Sequence, residues 1–349
     1  MQAGGGRFCR KSPCVQSEDD GMNRCVVTFG ELLMRLDTPG KRRFVQSDSL
    51  GISFTGGEAN VAVALARWGL PTRMVSKVPS HDLGEACLDS LRRYGVATDH
   101  VLRGGDRLGL LFVEGGMAPR PTRVIYDRLH TSFREMQAGE IDWSAILAEA
   151  RWLHVTGTAP AFGSGTRSVL REALDQAAGH GVTVSFDCSF RSSLWSASEA
   201  AEVFCDLMQY VDVFIGSERD AQTFFGGPGS GDASLHGLRE KFGLQTVAYA
   251  HRTESSHGTS SYSACVLHGD QLVTTRPIEG IVVDRIGMGD AFAAGLIRGL
   301  IMDRPTQETA DFAVAAGVLT QTLPGDFCLV SVDEVNELAR DQTGGQVRR

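Results

Sequence analysis

Val283-Asp284-Arg285-Ile286-Gly287-Met288-Gly289-Asp290 runs without a break into Ala291-Phe292-Ala293-Ala294-Gly295-Leu296-Ile297. An apolar, β-branched run, Gly280-Ile281-Val282-Val283, leads into it, and Phe292, Leu296, Ile297 and Leu300 follow at helical spacing. The order is strand, glycine turn, helix. Gly287 and Gly289 let the main chain fold tightly and bare its N–H groups, and such groups at a helix start form an anion site. Asp290 stands at the same spot. A carboxylate there cannot bind phosphate, but it can take the proton of an alcohol that is about to attack one. Glycine turn plus carboxylate therefore points to phosphoryl transfer onto a hydroxyl. On the octet alone a plain helix cap explains Asp290 equally well, and the rest of the chain has to decide.

A chain of 349 residues holds one large α/β domain, or one large and one small. Its formal charge of −8 argues against general nucleic-acid affinity and against docking on acidic membranes. Any anionic substrate must then be met by local cations. No apolar run reaches the ~18 residues of a membrane span, so a soluble, cytoplasmic protein is expected. Cysteines 9, 14, 25, 87, 188, 205, 265 and 328 are scattered without C-x-x-C spacing and read as free thiols in a reducing compartment. The histidines form no pair at zinc spacing, so no structural metal is expected. Residues 1–21 are polar and glycine-rich with no hydrophobic period, and read as a disordered extension.

Elsewhere strand and helix alternate. Strands are expected at Val26–Phe29, Thr72–Val78, Trp152–Thr156, Val182–Asp187, Val211–Gly216 and Thr246–Ala250. Helices are expected at Val61–Trp68, Leu83–Tyr94, Thr166–His180, Ala197–Tyr210, Ala233–Phe242 and Pro305–Thr320. Repeated βα units with apolar strands imply an α/β fold, a doubly wound and mainly parallel sheet with helices on both faces. Ligands bind such sheets at the strand C-terminal edge. Asp187, Ser217-Glu218 and Gly287–Asp290 all fall there. Two β excursions, about 36–55 and 107–128, can pair as a small sheet set apart, which reads as a lid.

Four further stretches carry candidate chemistry. Gly56-Gly57-Glu58-Ala59-Asn60 sets Asn60 near a helix start facing the same edge, although a capping turn is the plainer reading. Tyr126-Asp127-Arg128 closes a lid strand, and an Arg there can grip a carboxylate with two parallel hydrogen bonds or be a solvated charge. Arg191, past the end of a strand, can offset phosphate charge in a transition state or pair with Asp187. Ser217-Glu218-Arg219-Asp220 offers carboxylates that could hold magnesium through water, and an acidic first helical turn accounts for them as well. A dinucleotide-binding dehydrogenase is disfavoured, because Phe29-Gly30-Glu31-Leu32-Leu33 stands where G-x-G-x-x-G would follow the first strand.

Taken together, about residues 24–340 resemble the ribokinase-like (PfkB) carbohydrate kinases, and among them the kinases of 2-keto-3-deoxygluconate. The glycine motif at 56–60, the signature VVDRIGMGDAFAAG, and the segments FDCSFRSSLW, VDVFIGSERDA and PGDF carry the resemblance. It implies one ribokinase-like domain over 22–345, an α/β sheet with a small β lid. The implied activity is ATP-dependent phosphorylation of a primary hydroxyl of a small sugar acid. Another sugar substrate, such as fructose or ribose, is the alternative, and a catalytically weak sugar-binding relative is a further one.

In residues, the resemblance implies Asp290 as base, Gly287, Met288 and Gly289 as anion hole, and Arg191 on phosphate and substrate. Gly56, Gly57, Asn60, Tyr126, Arg128 and Asp326 would surround the keto-acid. Ser189, Ser217 and Arg252 would join Gly287 and Gly289 at ATP, with Mg2+ near Glu218 and Asp220 and a monovalent cation left open. Departures from the family pattern are Met288 for Ala or Gly, Ser189-Phe190 for Asn-Tyr, and Leu111 for Tyr. The exposed edges of a small lid also invite pairing with a second copy.

Overall fold

The computed structural model describes residues 24–227, 229–254 and 258–340, so the extension expected over 1–21 lies outside the described residues. The first strand, β1 (Cys25–Phe29), is CVVTF and buried along its whole length. Its side chains alternate between two cores. Val27 and Phe29 join one apolar cluster and Val26 another, the signature of a strand covered on both faces.

Around β1 lie β4 (Thr72–Val78), β5 (Val101–Arg103), β8 (Ala150–Thr156), β9 (Thr183–Asp187), β10 (Val213–Gly216) and β11 (Thr246–Glu254). They form a parallel array in the order β5-β4-β1-β8-β9-β10-β11. Beyond β11 the sheet turns antiparallel through β12 (Thr259–His268), β13 (Gln271–Thr274) and β14 (Ile278–Ile281).

Helices α1 (Gly57–Arg67), α8 (Met288–Ile301), α9 (Thr306–Thr320) and α10 (Val332–Ala339) supply the cluster on one face. On the other face pack α3 (Trp143–Ala148), α4 (Ser164–His180), α5 (Ala197–Leu207), α6 (Glu218–Phe225) and α7 (Asp232–Phe242). Helix α2 (Asp82–Arg92) closes a third cluster against α1 and β4. The fold is therefore a doubly wound α/β sheet.

The remaining strands, β2 (Leu33–Asp37), β3 (Gly51–Thr55), β6 (Gly109–Glu114) and β7 (Arg123–Asp127), make a separate sheet in the order β3-β2-β6-β7. Arg35, Leu111 and Val113 are buried on its inner face, while Leu36, Phe112 and Ile125 share a row on the other. One face of this sheet is therefore covered, and the ion pairs of Arg35 with Asp284 and Asp326 tie it, as a lid, to the approach of the glycine turn.

Two expectations shift. The strand expected over Gly280–Val283 lies earlier: β14 ends at Ile281, pairs antiparallel with β12, and leaves Ile281 and Val283 exposed. Helix α6, expected only as the alternative reading of Ser217–Asp220, forms because Ser217 and Asp220 cap its start reciprocally and Gly226 ends it in the left-handed region.

Candidate active site

The glycine turn has the expected geometry for a backbone reason. Gly287 caps α8 with φ +87°, and a Cβ there would lie 2.0 Å from the Asp326 carbonyl oxygen, so only glycine fits. The first bond of the helix runs from the Ala291 N–H to the Gly287 carbonyl at 2.9 Å. The N–H groups of Met288, Gly289 and Asp290 thus lie in the unpaired first turn, and no side chain caps them. The Met288 side chain is buried in the cluster that α8 and α9 share, with its Cγ 3.4 Å from where a Cβ on Gly317 would stand.

Asp290 is the third residue of the helix rather than its cap. Its Oδ2 accepts a hydrogen bond of 2.6 Å from Asn60 Nδ2, on the first turn of α1. Burial pushes its carboxyl up to about 6, opposed by the Asn60 bond and the Arg191 charge. Glu58, two residues before Asn60, is buried, accepts from Thr156 Oγ1 at 2.7 Å, and is raised to about 7 by burial and then by the charge of Asp290. Asp187, at the end of β9, is likewise raised to about 7 by burial and by Asp290. The charge of Asp290 is thus one of the causes that lift both of its carboxylate neighbours. Gly56 admits this arrangement, because a Cβ there would meet the Glu31 carbonyl at 2.4 Å. Gly57 begins α1 close to Asp290, where an added Cβ would stand 3.6 Å from Oδ1.

The sheet edge supplies the cations. Arg191 is exposed, donates only to the Phe190 carbonyl at 3.2 Å, and has no ion-pair partner among the described residues. The expected alternative, a salt bridge to Asp187, is not formed. Ser189 holds a left-handed φ of +32° and gives its N–H to Asp187 Oδ1 at 3.0 Å. Such strain outside glycine persists where the surroundings impose it, commonly at functional sites.

Arg128 lies over the Tyr126 ring at 4.6 Å and the Phe162 ring at 5.5 Å. Its Nε sits 3.0 Å from Glu31 Oε2, while Glu31 Oε1 accepts from Thr131 Oγ1 at 2.7 Å. Nε and Oε2 are close enough for an ion pair but not aligned as a hydrogen bond. Charge attraction, not hydrogen bonding, is what holds them. The terminal nitrogens of Arg128 have no acceptor among the described residues.

Three expected contacts fall elsewhere. The Asp326 carboxylate is buried and taken by Arg35 Nη1 and Thr55 Oγ1, so it cannot line an open substrate site. Asp220 Oδ2 accepts from the Ser217 N–H at 2.9 Å and its hydroxyl at 2.6 Å, and Glu218 Oε1 accepts from the Gly231 N–H at 2.9 Å. These carboxylates cap and brace α6, the alternative given for them above. Arg252 pairs with Glu254 at 2.9 Å, and Arg285 reaches the same oxygen at 2.5 Å.

The sequence reading missed Glu31, Arg35, Thr55 and Asp284. Arg35 is buried and pairs with Asp37, Asp284 and Asp326, tying lid strand β2 to the approach of the glycine turn. The signal was an Arg on the inner register of an apolar strand, Leu33-Met34-Arg35-Leu36-Asp37. A charge so placed needs partners.

Residues 23–327 match the family described as pfkB family carbohydrate kinase. The crystal structure of 2-dehydro-3-deoxygluconokinase from Thermotoga maritima superposes with a TM-score of 0.87 at 39% identity, covering 91% of this chain and 99% of that one. The 2-dehydro-3-deoxygalactonokinase of Haloferax volcanii is 33% identical over 92% of this chain and 98% of its own length. The 2-dehydro-3-deoxygluconokinase of Bacillus subtilis is 28% identical over 86% of this chain and 91% of its own.

Proposed function

Because the chain belongs to the pfkB family of carbohydrate kinases, we propose that it moves the γ-phosphoryl group of ATP onto the primary hydroxyl of 2-keto-3-deoxygluconate, also called 2-dehydro-3-deoxygluconate. The observation that carries this reading is Asp290, held by Asn60 beside three backbone N–H groups that no side chain caps.

Asp290 takes the hydroxyl proton, the freed oxygen attacks the γ-phosphorus, and the bond to the ADP oxygen breaks. The N–H groups of the first turn of α8 and the Arg191 guanidinium face the charge that builds on the moving group. Arg128, with its terminal nitrogens unclaimed and Tyr126 beneath it, meets the substrate carboxylate. Ser189 and Ser217 follow the C-terminal ends of β9 and β10, along which the nucleotide would extend.

Magnesium fits the same edge, since it is commonly held by one or two carboxylates together with donor phosphates. Asp187 stands at that edge, at the end of β9; burial first and the charge of Asp290 second raise its carboxyl, and a cation beside it would relieve the second of these. When bound, the ion neutralises donor charge.

Names borne by the Thermotoga maritima and Bacillus subtilis relatives support the gluconate substrate. The Haloferax volcanii relative favours a second reading, the epimer 2-dehydro-3-deoxygalactonate. Coupled ADP assays with both epimers, fructose and ribose separate these. A neutral sugar turned over faster than either acid would overturn the acid assignment.

The lid also fits pairing with a second copy. Ile52, Leu36, Phe112 and Ile125 form an apolar row across all four strands, with Ile52 63% and Ile125 54% exposed. Sedimentation of the wild type against Ile52→Glu tests it, and an unchanged mass would remove this interface. The described cysteines are unpaired, which suits the cytoplasm.

A further inference from the structure

We propose that Thr55 is a positioning residue for Asp290, acting through Asn60: its hydroxyl fixes which way the Asn60 amide faces and so keeps a hydrogen-bond donor on the base. This rests on the reading of Asp290 as the base.

Thr55 ends lid strand β3 and is buried. Its Oγ1 lies 3.2 Å from Asn60 Oδ1 and also meets Asp326 Oδ2, while Asp326 Oδ1 is held by Arg35. A polar chain thus runs Arg35, Asp326, Thr55, Asn60, Asp290, from the lid to the start of α8.

Arg35 only donates, and an ionised Asp326 or Asp290 only accepts. With Asp290 ionised, the Asn60 atom 2.6 Å away must be the NH2 group, which leaves the amide oxygen facing Thr55. That oxygen needs a donor, and the single hydrogen of the Thr55 hydroxyl is divided between it and the closer Asp326 Oδ2, whose other oxygen Arg35 holds. Without the hydroxyl, nothing on the Thr55 side tells amide oxygen from amide nitrogen. A flipped amide would then press an oxygen against Asp290 and disfavour the ionised base.

Other titratable groups face Asp290: Glu58 on α1, Asp187 at the end of β9, Arg191 beyond it, and the Tyr262 hydroxyl of β12. All of them are the same in every Thr55 variant, so differences among variants report the hydroxyl.

The test is kcat and KM across pH for wild type, Thr55→Val and Thr55→Ser with ATP and the keto-acid. Thr55→Val should lower kcat about 10- to 100-fold, as a slightly misplaced catalytic group does. Its KM should hold and its acidic limb move to higher pH, while Thr55→Ser stays near wild type. The proposal is overturned if Thr55→Val keeps the wild-type kcat and limb. It is also overturned if Thr55→Ser falls as far as Val, which would make packing the cause. Should Thr55→Val not fold, Thr55→Ala replaces it.

If the wild type leaves every acid untouched, the substrate reading fails by itself. The link is then read in a double-mutant cycle of Thr55→Val and Asp290→Asn by urea unfolding. Non-additive midpoints support it, and additive midpoints remove it.

Discussion

Asn60 Nδ2 lies 2.6 Å from Asp290 Oδ2, a bond between the first turns of two helices whose sequence positions differ by 230. It ties α1 to the one carboxylate in the uncapped turn of α8, and α8 does not need that carboxylate as a cap. Asp290→Asn should therefore leave the fold intact and lower kcat by about 10²–10⁴, the usual worth of a general base, with KM little changed. Its thermal midpoint should equal or exceed that of the wild type, because the change removes a charge that burial disfavours. Steady-state kinetics with calorimetry on the same sample checks both. Wild-type turnover in this variant would remove Asp290 as the base.

The base works only when ionised, so kcat/KM should rise with pH through an acidic limb at about 6. An ordinary Asp would place that limb near 3.8, and the difference comes mainly from burial, offset by Asn60 and Arg191. Arg191→Gln takes away the one charge that lowers it, so the limb should move upward as kcat falls. A limb that stays put in this variant would show that the Arg191 charge does not reach Asp290.

Glu58 gives a stability prediction with the opposite pH sense from most salt-bridged acids. Its carboxyl is raised from 4.5 to about 7. The folded state therefore binds the proton more tightly than the unfolded one, and stability falls as pH rises from about 4.5 through about 7. Glu58→Gln has no proton to lose, and its Oε1 can still accept from Thr156. The variant should match wild type at pH 4.5 and gain at pH 8, by at most about 3 kcal/mol on the pKa difference. Urea unfolding at the two pH values measures it, and equal midpoints at pH 8 would mean that the buried carboxylate is compensated.

Local cues account for what could be read in advance. The parallel strands and most of the helices showed through because apolar runs such as Val26–Phe29 are buried on both faces and glycines end the helices. The glycine turn was legible because Gly287 has a backbone that other residues avoid. Asp326 was not, since its role depends on Arg35, whose number differs by 291. Glu218 and Asp220 show the limit of composition: acids at a sheet edge look alike whether they cap a helix or face a ligand, and only their hydrogen bonds decide. Glu31 and Thr55 carry no motif, and their partners Arg128 and Asn60 become neighbours only on folding.

Arg128 offers the sharpest test of an acid substrate, provided its two duties are separated. One is internal, since Nε stands 3.0 Å from the buried Glu31. Losing the guanidinium strands that carboxylate, so Arg128→Met should lower stability whatever the substrate. The other is the grip of the terminal nitrogens on a ligand carboxylate, and truncating such a charged contact typically costs about 2–5 kcal/mol. Combining Arg128→Met with Glu31→Gln removes the stranded charge and should restore much of the thermal midpoint. It should not restore affinity for the keto-acid, whose kcat/KM stays at least ~30-fold below wild type on that energy scale. Arg128→Lys keeps the charge without the planar fork and should fall between the two. A neutral hexose, with no carboxylate to grip, should lose far less in every variant. If acid and hexose decline by the same factor, and both recover in the double variant, Arg128 serves Glu31 alone and the acid is recognised elsewhere.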